Sequence, residues 1–318
     1  MNHFAEKENK NICIIGMGGV GGYFGGKIAY HMGANRNERG SVLFIARGRH
    51  LHKIAENGLV VDGSKQHMIC RPDNATDDIS SVPKPDLCLV CVKGYDLDGA
   101  VQSLAPMVSD STVILPMLNG VSIYERVRKH LSAGIVLPTC VYVVSHIEKP
   151  GTVVQRGGNG LILCGPDPKN PSFDHQGLLA FLKRMDITVR WSETPEQEIW
   201  KKFVFVAAFG LVTAYADKTL GQVVHDAGLY ALVENIMKEI VCLATKKAIQ
   251  LPEDIISRTM AKAAKLPPDT RSSYQRDVRS KGKKNEGDLF GGTIIRMGRQ
   301  LGVTTPVTEK IYCALSCR

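Results

Sequence analysis

Short apolar runs alternate with segments of helical periodicity over the first part of the chain. The apolar runs predict strands at 11–15, 41–45, 87–92, 112–115 and 135–139. The periodic segments predict helices between them, at 20–32, 51–57, 97–108 and 121–131. Continuous apolar strands that alternate with helices are typical of a parallel sheet covered on both faces. The pattern therefore predicts an α/β domain built on a parallel sheet.

The pattern changes in the second part of the chain. We expect a hairpin from 153–156 and 160–164, joined by the letters GGN, then a helix at 173–185 and a last strand at 187–191. Beyond Pro195 only helical spacing is found, at 196–215, 228–249, 252–264 and 288–301. We therefore predict a first domain over 1–190 and an all-helical second domain over 191–318.

A glycine-rich turn directly follows the first predicted strand and opens the first predicted helix. A turn of this kind in this context is typical of dinucleotide binding, because the helix N-terminus offers N–H groups and partial positive charge to a pyrophosphate. The alternative is a purely structural strand–turn–helix. Gly25, four residues beyond the turn, would let the helix lie close to the sheet. The predicted cofactor-binding residues are Gly16, Gly18, Gly19, Val20 and Gly21.

The end of the second strand indicates which dinucleotide binds. Enzymes that use NAD place an acidic residue here for the ribose 2′-hydroxyl. This chain has no acid at that position, and Arg47 and Arg49 stand there instead. Because guanidinium groups suit a 2′-phosphate, the sequence predicts NADP, bound in part by Arg47. The alternative is that both are ordinary surface arginines.

Composition and charge exclude several classes of protein. The 40 basic and 31 acidic residues give a net charge of +9, but aromatic residues are only 6% of the chain and no nucleic-acid-binding module is present. No apolar run approaches membrane-spanning length, and no signal segment is visible, so we expect a cytoplasmic protein without nucleic-acid or membrane partners. The nine cysteines read as reduced core thiols, and no metal-binding spacing of histidines or acids is found.

The chain resembles the ketopantoate reductase (2-dehydropantoate 2-reductase) family. The resemblance rests on GMGGVGGYFGG, IARGRHLHKIAENGL, LCLVCVKGYD, LNG, EIWKKF and the later SSYQRD segment, in this order over nearly the whole length. It implies a Rossmann-type first domain, a helical second domain and an active site between them. It also implies reduction of a 2-oxo acid, a small-molecule substrate, by NADPH.

The resemblance also implies the roles of individual residues. It makes Lys202 the catalytic lysine and Glu286 a glutamate that holds cofactor and substrate groups. Lys93 and Asn119 would contact both cofactor and substrate, and Ser272 would bind substrate. The chemistry suits these types, since an ammonium can stabilise the negative charge that develops on a ketone oxygen and then donate a proton.

Each of these residues has a plainer interpretation. Either Lys201 or Lys202 could face solvent on an amphipathic helix, and Asn119 could simply form an Asn-Gly turn. Ser272 could cap a helix, and Glu286 could be a surface carboxylate among lysines. The helix at 196–215 is apolar almost all round, which is expected at a domain or subunit contact and leaves a homodimer as a hypothesis.

One feature departs from the family pattern. The family has asparagines four and eight positions after the catalytic lysine, and here those positions hold Val206 and Gly210. A site that hydrogen-bonds a substrate hydroxyl discriminates strongly against substrates that lack it, whereas an apolar site does not. A less polar 2-oxo acid is therefore an alternative substrate. A dinucleotide-binding regulatory protein without turnover is a second alternative. A 3-hydroxyacid or 6-phosphogluconate-type dehydrogenase is a third, but the helix motif GxxxGxGxxxK that usually holds its catalytic lysine is absent from the sequence.

Overall fold

The computed structural model describes residue 4 and residues 7–34, 39–63, 66–81, 83–279 and 284–317. The chain divides into two compact units. The first holds the residues up to Asn119 together with Ile123–Pro195, and the second holds Gly120–Ser122 together with the residues from Glu196 onward. The short segment at 120–122 therefore groups with the second unit although it lies within the first in sequence.

The strands all belong to the first unit. In chain order they are β1 (Asn9–Ile15), β2 (Arg39–Ile45), β3 (Leu59–Gly63), β4 (Gln66–Cys70), β5 (Asn74–Thr76), β6 (Leu87–Val90), β7 (Val113–Pro116), β8 (Ile135–Val136), β9 (Thr139–Lys149), β10 (Thr152–Cys164) and β11 (Thr188–Trp191). The helices of the first unit are α1 (Gly19–Ala34), α2 (Gly48–Asn57), α3 (Leu97–Leu104), α4 (Ile123–His130) and α5 (Gln176–Arg184).

A six-stranded parallel sheet lies at the centre of the first unit, with the order β5-β2-β1-β6-β7-β8. Its inner strands are buried, and Ile14, Phe44 and Leu89, which pair across three of them, are all 0% exposed. Burial on both faces explains why these strands are continuous apolar runs rather than alternating ones. The predicted Rossmann-type parallel sheet is confirmed.

A second, five-stranded sheet was predicted only in part. It has the order β11-β10-β3-β4, with β9 paired to β10. The predicted hairpin at 153–156 and 160–164 is wrong, because β10 runs unbroken through both segments and pairs antiparallel with β9. The true turn is at 150–151, where Gly151 has φ +80°. The GGN letters instead absorb register shifts within β10, with Gly158 and Gly160 at positive φ.

Helix α1 packs between the two sheets, which accounts for its unusual number of glycines. A Cβ on Gly25 would lie 2.9 Å from Cγ1 of Ile14 in the parallel sheet. A Cβ on the next residue, Gly26, would lie 2.5 Å from Cγ2 of Val61 in the second sheet. Both sheets thus approach the helix backbone so closely that side chains are excluded on two of its faces.

The second unit contains only helices among its described residues, as predicted. They are α6 (Pro195–Ala216), α7 (Leu220–His225), α8 (Ala227–Lys246), α9 (Ile255–Ala264), α10 (Ser273–Arg279), α11 (Thr293–Leu301) and α12 (Pro306–Ser316). The predicted helix at 288–301 begins as a π-helical turn, Asp288–Gly292, and continues as α11. Helices α7, α10 and α12 were not predicted, and α7 and α10 are too short to show a clear period.

Helix α6 is the core of the second unit. Trp200, Phe203, Val204 and Phe209 are each at most 3% exposed and pack against the other helices of the unit. The helix is long and apolar enough to cross a membrane by length and composition, yet 61% of its most apolar window is buried inside the protein. Its apolar surface is therefore largely accounted for by the packing of this unit.

Candidate active site

The candidate residues of the first unit follow the carboxyl ends of four adjacent strands. Gly16 follows β1, Arg47 follows β2, Lys93 follows β6 and Asn119 follows β7. Because these strands are parallel neighbours in the order β2-β1-β6-β7, all four residues come from one edge of the sheet. Ligands of open α/β sheets bind at this edge. The sheet thus brings together residues that are more than a hundred positions apart in sequence.

The glycine-rich turn is held tightly by main-chain hydrogen bonds. Gly16 has φ +92°, which only glycine adopts readily, and its N–H donates to the carbonyl of Ile45 at 2.9 Å. The N–H of Gly22 donates to the carbonyl of Gly18 at 2.8 Å and closes the first helical turn. A Cβ on Gly21 would overlap the carbonyl of Gly16. The turn is therefore fixed before any ligand binds.

The residues of this turn fit a dinucleotide diphosphate. The first N–H groups of an α-helix have no carbonyl one turn earlier to bond, so those of Gly19, Val20 and Gly21 are available to an anion. A Cβ placed on Gly18 would meet no atom within 4 Å, so the space beside this residue is open. Gly18 is thus the glycine whose missing side chain matters to a ligand, whereas Gly21 is required by the protein itself.

Arg47 lies at this edge of the sheet, and its exposed side chain is available to a ligand. Its side chain is 75% exposed, and its Nη1 lies 3.8 Å from a carboxylate oxygen of Asp96. Arg47 occupies the N-cap position of α2 with extended backbone and makes no capping hydrogen bond with its side chain. An exposed guanidinium in a loose ion pair can reorient toward a phosphate at little cost.

Lys93 and Asn119 are both half-buried and lie just beyond their strands. The carbonyl of Lys93 accepts a hydrogen bond from the N–H of Asp96 at 2.9 Å, which starts the 3₁₀ turn Gly94–Asp96. Asn119 precedes Gly120, where the chain bends and φ is +118°, a value that glycine adopts readily. A turn role and a ligand role are compatible for Asn119, because the turn uses its backbone.

Lys201 and Lys202 differ in their surroundings on α6. Lys201 pairs with Glu198 one turn earlier at 2.9 Å, and its side chain is 31% exposed. Lys202 is half-buried and begins a helix face that continues with Val206 and Gly210 at four-residue spacing. Lys201 is thus held in an ordinary i,i+3 ion pair on the helix, whereas Lys202 stands on the helix face that also holds Val206 and Gly210.

Tyr274, which sequence reasoning missed, lies close in space to Gly210 and to Gly287, two residues near the candidate residues of the second unit. Its buried ring faces Gly210, where a Cβ would lie 3.8 Å from that of Tyr274. The ring also packs edge-on against Phe290, with centroids 5.6 Å apart, and burial raises the pKa of its hydroxyl to about 12. Its hydroxyl would contact a Cβ on Gly287, the residue after Glu286. Nothing in the SSYQRD letters distinguishes this tyrosine from any other apolar helix residue.

Ser272 is the N-cap residue of α10, as its plainer interpretation predicted. Its Oγ accepts a hydrogen bond from the N–H of Gln275 at 3.0 Å and lies 2.8 Å from Oγ1 of Thr213 on α6. Thr213 donates its own proton to the carbonyl of Phe209 at 2.6 Å, so Ser272 is the donor in the bond between the two hydroxyls. A substrate carboxylate would have to compete with Thr213 for that proton.

Glu286 is not a surface carboxylate, since it is only 6% exposed. Its backbone carbonyl accepts hydrogen bonds from the N–H groups of Leu289 and Phe290, at 3.1 and 3.3 Å, at the start of the π-helical turn. Such turns are rare and often occur at functional sites. Tyr274 thus lies beside Gly210, on the helix face after Lys202, and beside Gly287, the residue that follows Glu286.

No group of three or more histidine, cysteine, aspartate or glutamate side chains suited to a metal ion occurs within the described part of the chain. The ionisable candidate residues of the sequence analysis are Lys93, Lys202, Arg47 and Glu286. Their positive charges suit an anionic substrate, and an ammonium group can take part in a proton transfer.

Comparisons with known proteins agree with this arrangement. The family described as ketopantoate reductase PanE/ApbA matches residues 12–169, and its C-terminal family matches residues 195–317. The 2-dehydropantoate 2-reductase of Streptococcus pyogenes serotype M18 is 25% identical in an alignment of 313 residues that covers 95% of this chain and 96% of that protein.

Solved structures are similar over the same extent. A PanE/ApbA family ketopantoate reductase from Ralstonia eutropha is 26% identical with a TM-score of 0.86, over 96% of this chain and 97% of that one. A D-mandelate dehydrogenase in complex with NADH and anilino(oxo)acetate is 20% identical with a TM-score of 0.83, over 96% and 97%, and shows likeness of fold alone. Both halves are matched in order, and the chain belongs to the ketopantoate reductase family, a family of oxidoreductases that use a nicotinamide cofactor.

Proposed function

We propose that this protein reduces a 2-oxo acid to the 2-hydroxy acid with NADPH, and that 2-dehydropantoate, which gives pantoate for pantothenate biosynthesis, is the first candidate substrate. The observation that carries the proposal is the set of residues at one edge of the parallel sheet. A dinucleotide turn, an arginine, a lysine and an asparagine follow four adjacent strands there. Membership of the ketopantoate reductase family supports the type of reaction.

Lys202 is the proposed proton donor. The nicotinamide ring, when bound, supplies the hydride, and negative charge then develops on the carbonyl oxygen of the substrate. The ammonium group of Lys202 would stabilise that charge and donate its proton to the oxygen. Glu286 would hold cofactor and substrate groups in place, and its burial beside the π-helical turn supports a fixed position for it.

Lys93, Asn119 and Ser272 are the proposed substrate contacts. A 2-oxo acid carries a carboxylate next to its ketone, so it presents acceptors only and needs donors such as ammonium, amide and hydroxyl groups. Lys93 and Asn119 would also contact the cofactor, because they lie at the same sheet edge as the dinucleotide turn. Gly16, Gly18, Gly19, Val20 and Gly21 would hold the diphosphate.

NADP is the proposed cofactor because of the residues after β2. Arg47 and Arg49 stand where an acid would otherwise bind the ribose hydroxyls, and both are exposed. The acid nearest to Arg47, Asp96, follows β6 instead, and its ion pair with Arg47 is loose at 3.8 Å. A 2′-phosphate would compete well for the guanidinium of Arg47.

A 2-oxo acid with an apolar side chain is the second candidate substrate. Val206 and Gly210 extend the helix face of Lys202, and the buried ring of Tyr274 packs beside Gly210. No side chain at these two positions can donate a hydrogen bond to a substrate hydroxyl. An apolar surface gives little discrimination against a substrate that lacks the hydroxyl.

The test is NADPH oxidation at 340 nm with a matched pair of 2-oxo acids. The pair consists of 2-dehydropantoate and 3,3-dimethyl-2-oxobutanoate, which differ only in the terminal hydroxyl. Turnover of either acid supports the reductase, and the ratio of the two kcat/KM values decides between the two candidate substrates. Tight NADPH binding without turnover of any 2-oxo acid would favour the regulatory protein without catalysis. A strong preference for NADH would contradict the role of Arg47.

The cytoplasmic location and the homodimer remain proposals of the same kind. The cofactor pools that the reaction needs are consistent with the cytoplasm. Because the apolar residues of α6 largely pack within the second unit, they no longer argue for a subunit contact. Sedimentation equilibrium of the purified protein, with and without NADPH, would determine the oligomeric state.

A further inference from the structure

His50 lies where the second sheet approaches the dinucleotide turn. It is in the first turn of α2, three residues beyond Arg47. Its Nδ1 accepts a hydrogen bond from the N–H of Gly151 at 3.0 Å. Gly151 forms the turn between β9 and β10, and a Cβ there would lie 2.9 Å from the Cβ of Lys53 on α2. The imidazole therefore bridges α2 and the β9–β10 hairpin.

The bond to Gly151 determines the tautomer of the ring. An Nδ1 that accepts a hydrogen bond carries no proton, so the neutral ring has its proton on Nε2. Burial lowers the pKa of His50, and an interaction with the backbone of Met17 opposes this only in part. The neutral ring with an Nε2–H group is therefore the form expected near neutral pH.

The Nε2 atom is buried and makes no hydrogen bond of normal geometry to any residue that the structure describes. Buried polar groups in native proteins nearly always have a partner. Besides the N–H of Gly151, the backbone of Met17 influences this ring by opposing the lowering of its pKa, and Met17 stands between Gly16 and Gly18 in the dinucleotide turn. Met17 itself is only 2% exposed, so its backbone has little freedom to move away.

We propose that His50 is a positioning residue for the cofactor, which acts through Met17. Its Nε2–H group donates to the backbone carbonyl of Met17 and holds Gly16 and Gly18 where their main chain meets the diphosphate. The effect falls on the diphosphate, which NADPH and NADH share, and not on the 2′-phosphate. The proposal rests on binding of a nicotinamide dinucleotide at this turn and is independent of which 2-oxo acid is reduced.

Two amide variants separate the two nitrogens of the ring. In His50→Asn the amide oxygen can replace Nδ1 and accept from Gly151, but nothing replaces Nε2. In His50→Gln the longer side chain can bring its NH₂ group near the position of Nε2, but the acceptor for Gly151 is lost. The control is His52→Asn, two residues away on the exposed face of α2.

The measurements are the Kd of NADPH and of NADH by isothermal titration calorimetry, and the melting temperature of the protein without cofactor. We expect His50→Asn to keep the melting temperature of the wild type. It should weaken the binding of both cofactors by the same factor, about fivefold, as for one lost hydrogen bond. We expect His50→Gln to melt earlier but to bind both cofactors within about twofold of the wild type. His52→Asn should match the wild type in every measurement.

Two results would overturn the proposal. The first is a His50→Asn protein that binds both cofactors as tightly as the wild type, which would reduce His50 to its structural bond with Gly151. The second is a loss confined to NADPH, which would place the effect at the 2′-phosphate. A wild-type protein that binds neither cofactor would instead contradict the proposed function.

Discussion

The candidate residues of the two units are arranged in different ways. In the first unit the groups that would meet the cofactor are largely main-chain atoms, held in a turn between one strand and one helix. In the second unit the candidate groups are side chains from three separate segments. These are Lys202 on α6, Ser272 before α10 and Glu286 before the π-helical turn. The first arrangement is local in sequence, whereas the second draws on segments that are far apart in the chain.

This difference determines how each half tolerates change. A main-chain site is limited by glycines, because close approach of the backbone excludes side chains at fixed positions. A side-chain site can exchange its polar residues for apolar ones and still fold. Val206 and Gly210 illustrate such an exchange in a helix that remains well packed. The glycine-rich turn of the first unit is therefore the more constrained of the two regions. The helix face after Lys202 in the second unit is where specificity can diverge.

The largest effect should come from Lys202. We expect Lys202→Ala to lower kcat with 2-dehydropantoate about a thousandfold, because the developing oxyanion loses its charged partner and its proton donor. The Kd of NADPH, measured by titration calorimetry, should stay within about twofold of the wild type if this residue acts only on the substrate. Such a split would show that catalysis and cofactor binding belong to different units.

Lys201→Ala is the matched control for that experiment. Lys201 is the adjacent residue and pairs with Glu198 at 2.9 Å on a partly exposed face. Its loss should leave kcat within about twofold of the wild type, because exposed pairs contribute little. If Lys201→Ala lost as much activity as Lys202→Ala, the assignment of the proton donor would be wrong.

The second prediction separates two glycines of the same turn. We expect Gly18→Ala to fold with an unchanged melting temperature, since its Cβ meets no atom within 4 Å, but to bind NADPH on the order of 100-fold more weakly. Gly21→Ala should instead melt earlier, because its Cβ overlaps the carbonyl of Gly16. Calorimetric titration and thermal melting distinguish the two. Equal melting temperatures for both variants would show that the turn is less rigid than the geometry indicates.

The third prediction concerns the choice of cofactor within the first unit. Arg47→Ala should weaken the binding of NADPH about tenfold and leave the binding of NADH within about twofold of the wild type. The reason is that only NADPH has a 2′-phosphate for the guanidinium. The ratio of kcat/KM for the two cofactors at 340 nm measures this directly, and NADH is the internal control. An equal loss for both cofactors would mean that Arg47 supports the fold of the turn rather than the 2′-phosphate.

Much of the first unit could be predicted because its signals are local. The parallel strands are buried on both faces, so they read as continuous apolar runs, and the turn follows directly on one of them. The second sheet was mostly missed because its strands β3 and β4 are short and half-exposed, and because β10 contains glycines that resemble a turn. The packing of α1 between two sheets could not be predicted without the second sheet.

The site in the second unit could be predicted only through resemblance to a family. Lys202 and Glu286 lie more than 80 positions apart, and no periodicity connects them. Tyr274, which lies beside Gly210 and Gly287, is an apolar position of a seven-residue helix, which is too short to be predicted with its correct face. The plainer interpretation of Ser272 as a cap is correct, since its Oγ accepts a hydrogen bond from the N–H of Gln275, and this bond does not decide whether the hydroxyl also binds substrate.

The fourth prediction tests whether Ser272 has a role beyond its cap. Ser272→Ala removes the cap of α10 and the bond to Thr213, so the melting temperature should fall by a few degrees. If Ser272 also binds the 2-oxo acid, its KM should rise about fivefold, whereas Thr213→Val, which spares the cap, should leave KM unchanged. A lower melting temperature with a normal KM for Ser272→Ala would leave the serine a structural residue only.

The smallest effect should come from Asp217, which secures α10 at its other end. Its carboxylate accepts hydrogen bonds from Arg279 at 2.7 and 2.8 Å and from Gln275 at 3.0 Å. Chiefly because of Arg279, the pKa of Asp217 is lowered to about 2, below its unfolded value near 4. A lowered pKa stabilises the folded state above the unfolded value, and this contribution is lost as the pH falls from about 4 to about 2.

Asp217→Asn should therefore lower the melting temperature by only about 1–2 °C at pH 7, since the pair is exposed, and the difference from the wild type should shrink as the pH falls toward 3. Asparagine tolerates the left-handed backbone of this position, where φ is +52°, so the substitution adds little strain. Arg279→Gln removes the other partner and should show the same convergence with the wild type at low pH. Thermal melting of the three proteins at pH 7, 5, 4 and 3 measures the effect. A difference that stays constant over this range would mean that the ion pair does not hold α10, and that the cap at Ser272 alone keeps this part of the second unit in place.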